Sequence, residues 1–272
     1  MRQMVTDGQA RARCAVLTGA GSGIGRATAR WFANRGWFVV GVDLEPGGLP
    51  AGVVPVIGDI AVPGVIESAI DVAEEHCGQV GVLVNNAAAR ADGDVLSCPP
   101  ADWQRAFDVN VFAAMRGIRR ALPQMLARGS GCIVNIASVS GLHGLRRRVA
   151  YSASKGALVA LSRQVALDFG RQGVSSICLC PGATLTEGVR QRLAARADPA
   201  TFTCRYAAQQ VLGRLLAAEE VAEAVGLVSA GEAAAAFNGA VLTLDGGAHL
   251  STPSDSSNVV DWAAVADREL MP

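Results

Sequence analysis

Tyr151 and Lys155, in the stretch YSASK, are the residues of this sequence best suited to moving a proton. Positions i and i+4 of a helix share a face, so a helix here brings phenol and amine together. A phenol at its reference pKa of about 10 is a poor base at neutral pH, but a neighbouring ammonium favours the phenolate, as would a positively charged oxidised nicotinamide. The pair is therefore a candidate proton acceptor. An exposed helix face gives the same spacing by chance, and composition argues against it: Lys155 is the only lysine in 272 residues, and the other 23 basic side chains are arginine. A solvated site in such a chain would carry arginine too. Lysine differs in being a compact amine of adjustable pKa that can reach sugar hydroxyls.

A second cluster lies near the N-terminus. In LTGAGSGIGRA, residues 17–27, Gly19, Gly23 and Gly25 follow Thr18 and open a helical pattern, with Ile24 where the third glycine of G-x-G-x-x-G would stand. Side-chain-free positions let the backbone approach a pyrophosphate, whose charge suits the amides of a helix N-terminus. The next apolar run ends at Asp43, 18 positions beyond Gly25. A carboxylate there accepts hydrogen bonds from both adenosine ribose hydroxyls and repels a 2'-phosphate. No basic residue follows in DLEPGG, and Ser22 precedes Gly23, so the cofactor expected is NAD rather than NADP.

These clusters need elements to hold them. Short apolar runs near 14–18, 38–43, 53–59, 81–86, 132–138, 175–180 and 240–245 read as seven strands. Helical patterns alternate with them near 24–35, 63–77, 101–127, 151–172, 187–197 and 218–231. The expectation is an α/β fold: a Rossmann-like, doubly wound, seven-stranded parallel sheet in three layers, one domain spanning 13–250. Residues 1–12 read as an N-terminal tail. Residues 183–210 break the rhythm and read as a substrate lid. STPSDSSN reads as a linker to an amphipathic helix within a C-terminal extension, 251–272.

The 24 basic and 24 acidic side chains balance, so no field points to nucleic acid or a membrane surface, and a small-molecule substrate is expected. No run of 18 uncharged apolar residues exists to span a membrane. The N-terminal residues lack the apolar core of a secretory signal. Seven scattered cysteines read as reduced core residues of a cytoplasmic chain, and the Cys178–Cys180 pair, with no second ligand pair nearby, suggests no metal.

Taken together, TGAGSGIG, NNAA at 85–88, Asn110 in DVNVF, Ser138 in NIASVS, YSASK, PGATLT and LDGG resemble the short-chain dehydrogenase/reductase family over residues 12–249. The resemblance implies hydride transfer between a nicotinamide and a secondary alcohol or ketone, in a homotetramer or homodimer. It implies Tyr151 as general acid/base and Lys155 as the group that binds the nicotinamide ribose and lowers the phenol pKa. Ser138 would hold the substrate oxygen, and Asn110 a water relaying protons from Lys155. Asn86 and Ala87 would line the cofactor, with Ala88 replacing the usual glycine. Asp59 and Ile60 would meet the adenine. Pro181, Gly182, Thr184 and Thr186 would lie along the nicotinamide side.

Between Ser138 and Tyr151, the run Arg146–Arg148 reads first as a solvated or subunit-contacting surface and second as an anion attractor, and His143 first as a loop residue with local bonds and second as a substrate contact. Arg190, Arg192, Phe202 and Tyr206 fall in the lid. The leading reading is an NAD-dependent dehydrogenase of a cyclic or diol-type alcohol. The alternatives are an NADPH-dependent carbonyl reductase of the same fold and a catalytically silent nucleotide-binding regulator.

Overall fold

Short β-branched and aliphatic runs become strands here because helices cover both of their faces. The computed structural model describes residues 13–208, 210–231 and 234–250; the expected tail 1–12 and extension 251–272 lie outside them. The strands are β1 (Cys14–Thr18), β2 (Phe38–Asp43), β3 (Val53–Ile57), β4 (Val82–Asn85), β5 (Gly131–Ile136), β6 (Val174–Pro181), β7 (Thr184–Leu185), β8 (Leu216–Ala217) and β9 (Val241–Leu244). Seven of them form one sheet in the order β3-β2-β1-β4-β5-β6-β9, every pair parallel.

The helices are α1 (Gly23–Ala33), α2 (Val65–Cys77), α3 (Pro100–Phe107), α4 (Ala113–Arg128), α5 (Val149–Phe169), α6 (Glu187–Ala194), α7 (Pro199–Ala207) and α8 (Ala218–Ala230). Alternation along each strand sorts them into layers. Leu17, Val39, Val84 and Val134 pack with Phe32 of α1 and Val225 of α8. Val16, Val40, Leu83 and Ile133 point the other way, to Ile66 of α2, Ile118 of α4 and Val165 of α5.

The structure departs from the expected elements in two places. The pattern over 101–127 becomes α3 and α4 joined by a π-helical turn, Asp108–Phe112, without leaving the helical path. The pattern over 187–197 ends at Ala194, and a second helix, α7, starts after Asp198 accepts a hydrogen bond from Thr201 N at 3.1 Å. The segment 183–210 thus holds two short helices. β7 and β8 flank them and pair as a separate two-stranded sheet, Thr184 with Leu216 and Leu185 with Ala217.

Candidate active site

The chain leaves β1 toward β2 and β3 on one side and later starts β4 on the other. At such a reversal the loops beyond the carboxyl ends of the strands diverge and open a crevice. Here it measures about 610 Å³, within the range of small-molecule sites. Gly19, Ser22, Gly23, Ile24, Asp43, Asp59, Ile60, Asn86, Ala87, Ser138, Tyr151, Lys155, Pro181, Gly182, Thr184 and Thr186 line it. Residues that end or follow six strands, β1 to β6, together with two from helix α5, therefore converge on one cavity.

Two expected site residues stand behind its wall. Gly25 does not line the crevice; a Cβ there would run into the Gly19 carbonyl and the Asn86 amide. Its task is close packing of α1 beneath the turn. Asn110 is fully buried. Its Oδ1 accepts from Ala89 N at 2.8 Å, and its Nδ2 donates to Ala89 O at 3.0 Å and to Ser154 Oγ at 2.8 Å. Both amide hydrogens are thus engaged, and the side chain clamps the irregular segment that follows β4 onto α5. The π turn that holds Asn110 is the kind of helical irregularity often found at functional sites.

At the nucleotide end, Thr18 Oγ1 accepts from Asn86 N and Ala87 N, both at 3.0 Å. Asn86 Nδ2 returns bonds to Thr18 O at 2.9 Å and Gly19 O at 3.1 Å. The Asn86 carboxamide therefore stitches the glycine turn to β4 rather than reaching outward. Asp43 Oδ2 accepts from Gly21 N at 2.7 Å and Oδ1 from Leu44 N at 2.8 Å. Each oxygen keeps a lone pair for a ribose hydroxyl. The Arg105 guanidinium, 2.7 Å from Asp59 Oδ2, holds the Asp59 carboxyl below its usual range. The turn suits an anion: Gly23 N donates to the Glu187 carboxylate at 2.9 Å, and Arg26 pairs with the same carboxylate. A pyrophosphate fits that chemistry. Glu187 was not legible as a site residue, since it lies 164 positions from its partner amide.

At the chemical end, Lys155 is buried beneath Tyr151, its Nζ 5.8 Å from the ring centroid. Nζ donates to Ile136 O at 2.7 Å. Burial lowers the ammonium to about 8, which leaves it charged at neutral pH. Ser138 caps a turn, Val139–Gly141, and its Oγ accepts from Ser140 N at 3.1 Å. That turn rests directly on α5: a Cβ at Gly141 would press on the Lys155 carbonyl, 2.9 Å away, and on Gly156 N at 2.8 Å. Hydroxyl, phenol and ammonium are thereby held at one end of the crevice.

The arginine run divides. Arg146 and Arg147 are exposed, but Arg148 turns inward and lines the crevice, which corrects the reading of all three as solvated surface. Arg147 makes the turn by adopting left-handed backbone, φ 57°, a conformation arginine rarely takes. Arg192 and Arg90 also line the crevice, whereas Arg190 and the exposed His143 do not. The side chains of Phe202 and Tyr206 lie outside the described set.

With this geometry in place, sequence comparison is informative. Residues 13–197 match the family model for short chain dehydrogenase. Dehydrogenase/reductase SDR family member 6 of Danio rerio is 36% identical over 85% of this chain and 95% of its own length. The meso-2,3-butanediol dehydrogenase of Serratia marcescens is 36% identical over 87% of this chain and 94% of its own. Among solved structures, the ligand-free aldohexose dehydrogenase of Thermoplasma acidophilum superposes with a TM-score of 0.83 at 29% identity, covering 89% of this chain and 96% of that one.

Proposed function

This chain belongs to the short-chain dehydrogenase/reductase family, and from that premise we propose that it is an NAD-dependent dehydrogenase of a small secondary alcohol, of cyclic or diol type. The observation that carries the reading is the buried Lys155 ammonium beneath the Tyr151 ring at the mouth of a dinucleotide-sized crevice. The diol and sugar dehydrogenases among the similar proteins support the substrate class. Asp43, offering its carboxylate where a 2'-phosphate would have to sit, supports NAD over NADP.

A bound nicotinamide dinucleotide supplies the hydride acceptor: the carbinol carbon gives up hydride and becomes the carbonyl carbon. Tyr151 takes the hydroxyl proton. Lys155 favours the phenolate by its charge and presents its remaining N–H donors to a ribose. Ser138 Oγ hydrogen-bonds the substrate oxygen as it gains negative character. The protein is proposed to work in the cytoplasm as a homodimer or homotetramer, with exposed apolar side chains on α4 and α5 as the joining surface.

The test is a rate comparison. NAD should give a kcat/KM at least tenfold that with NADP, and Tyr151→Phe should lower kcat at least about 1,000-fold, in keeping with the loss of general-base catalysis, while NAD still binds. Preference for NADP would remove the role given to Asp43. Substantial turnover by Tyr151→Phe would remove the assigned base.

A further inference from the structure

The charged groups lining the crevice are unevenly placed. Asp43, Asp59 and Arg105 lie at the nucleotide end, where Asp59 and Arg105 neutralise one another at 2.7 Å. Lys155 lies under Tyr151. The remaining charged lining residues are Arg90, Arg148 and Arg192, and no other acidic side chain lines the cavity among the described residues. Three arginines thus line the crevice beyond the nucleotide end, Arg148 with its outer side paired to Asp92.

Two of these arginines are placed by built features. Arg148 is the N-cap residue of α5, three positions before Tyr151, so both stand at the same end of that helix. Its backbone is bridged to Gly93, with Gly93 N donating to Arg147 O at 3.1 Å and Val149 N to Gly93 O at 3.2 Å. The left-handed Arg147 is what turns the chain there, and strain of this kind persists only where the surroundings over-determine it. Arg148 also pairs with the exposed Asp92, outside the crevice, which holds one side of the guanidinium. Arg192 shares the inner face of α6 with Gly188 and Val189, all three lining the cavity. Its Nη1 lies 3.5 Å from the place a Gly188 Cβ would take. The α6 helix is fixed in turn by the Thr186 cap and by Glu187 on Gly23.

From this arrangement we infer that the second polar group of the substrate is an anion: the substrate is a small hydroxy acid whose carboxylate or sulfonate is gripped by Arg148 and Arg192 while its carbinol faces Tyr151 and Ser138. The inference rests on the dehydrogenase reading above and narrows its substrate class. Arg148 and Tyr151 stand three positions apart at the same end of α5, which calls for an anion close to the carbinol, and the spacing of the two groups is what a series of hydroxy acids reads out. Planar guanidinium groups suit this task, because they bind such anions through paired N–H donors.

Initial rates with NAD distinguish the possibilities. The substrates are 2- and 3-hydroxy acids of four or five carbons, 4-hydroxypentanoate, a short secondary hydroxyalkane sulfonate, the methyl ester of each carboxylic acid, and 2,3-butanediol. At least one acid should exceed its ester in kcat/KM by about 100-fold, the scale of two charge-assisted hydrogen bonds. That ratio should fall about 100-fold in Arg148→Gln and in Arg192→Gln, mainly through KM, and recover in part in Arg192→Lys. Whether carboxylate or sulfonate leads identifies the anion. An ester or the diol matching every acid, or a ratio that neither Gln variant moves, overturns the inference and leaves the dehydrogenase reading standing. If no compound is oxidised, calorimetric titration of the matching keto acids into the protein–NADH complex decides. Saturable binding weakened in both Gln variants supports the inference, and no binding or equal binding overturns it. Failure of NADH itself to bind the wild type counts against the dehydrogenase reading instead, and NADH binding by each variant shows that it has folded.

Discussion

Lys155 shows how one residue carries both the chemistry and its cost. A fully buried ammonium with a single backbone carbonyl at 2.7 Å is poorly solvated, and burial lowers it to about 8 from an ordinary 10.5. Between those pH values the unfolded chain holds a proton that the folded chain has lost, so stability rises with pH across that window. Below about pH 8 the burial penalty acts in full. The cofactor-free wild type should therefore gain stability relative to Lys155→Met by up to roughly 3 kcal/mol between pH 7.5 and 10.5. Urea denaturation at several pH values measures it, and a flat difference would mean that the amine is not desolvated. The sequence made this residue conspicuous through composition alone, since one lysine among 23 arginines needs a reason. The sequence left the Asn110 carboxamide unread: its partners, Ala89 and Ser154, are 21 and 44 positions away.

At the scale of elements, strands were easier to find than the breaks within helices. A strand covered on both faces is a dense apolar run, and β1, β2 and β6 fall within a residue or two of where the sequence puts them. The π turn at Asp108–Phe112 leaves no such trace, because the same side chains suit either helix. The Val139–Gly141 turn is capped by Ser138, the proposed partner of the substrate oxygen, and it lies against α5 at Gly141 because that residue has no side chain. Gly141→Ala should lift the turn from Lys155 and displace Ser138. A shift near 1 Å in a reacting group costs on the order of 100-fold in rate. We expect kcat to fall by about that factor while the circular dichroism spectrum and NAD affinity hold; unchanged kcat would show that the turn adjusts without moving Ser138.

At the scale of the whole molecule, several large apolar side chains are left exposed, some of them on α4 and α5. Phe112 and Met115 on the π turn and α4, and Leu167 on α5, are 41%, 37% and 76% exposed. In the proposed dimer or tetramer these are the side chains that association covers. The double substitution Met115→Arg and Leu167→Arg should reduce the sedimenting species to a monomer; an unchanged sedimentation coefficient would move the interface elsewhere. By itself the sequence determined the layered α/β architecture, the glycine turn and the Tyr151–Lys155 pair, because each is written in local spacing, where helical and strand periodicities act over a few residues. Only the tertiary structure decided that Arg148 leaves its run to face the crevice with Arg192, 44 positions later, and that Glu187 meets Gly23. Such meetings depend on how strands order in the sheet and where connecting loops return, and no short-range pattern in the chain encodes them.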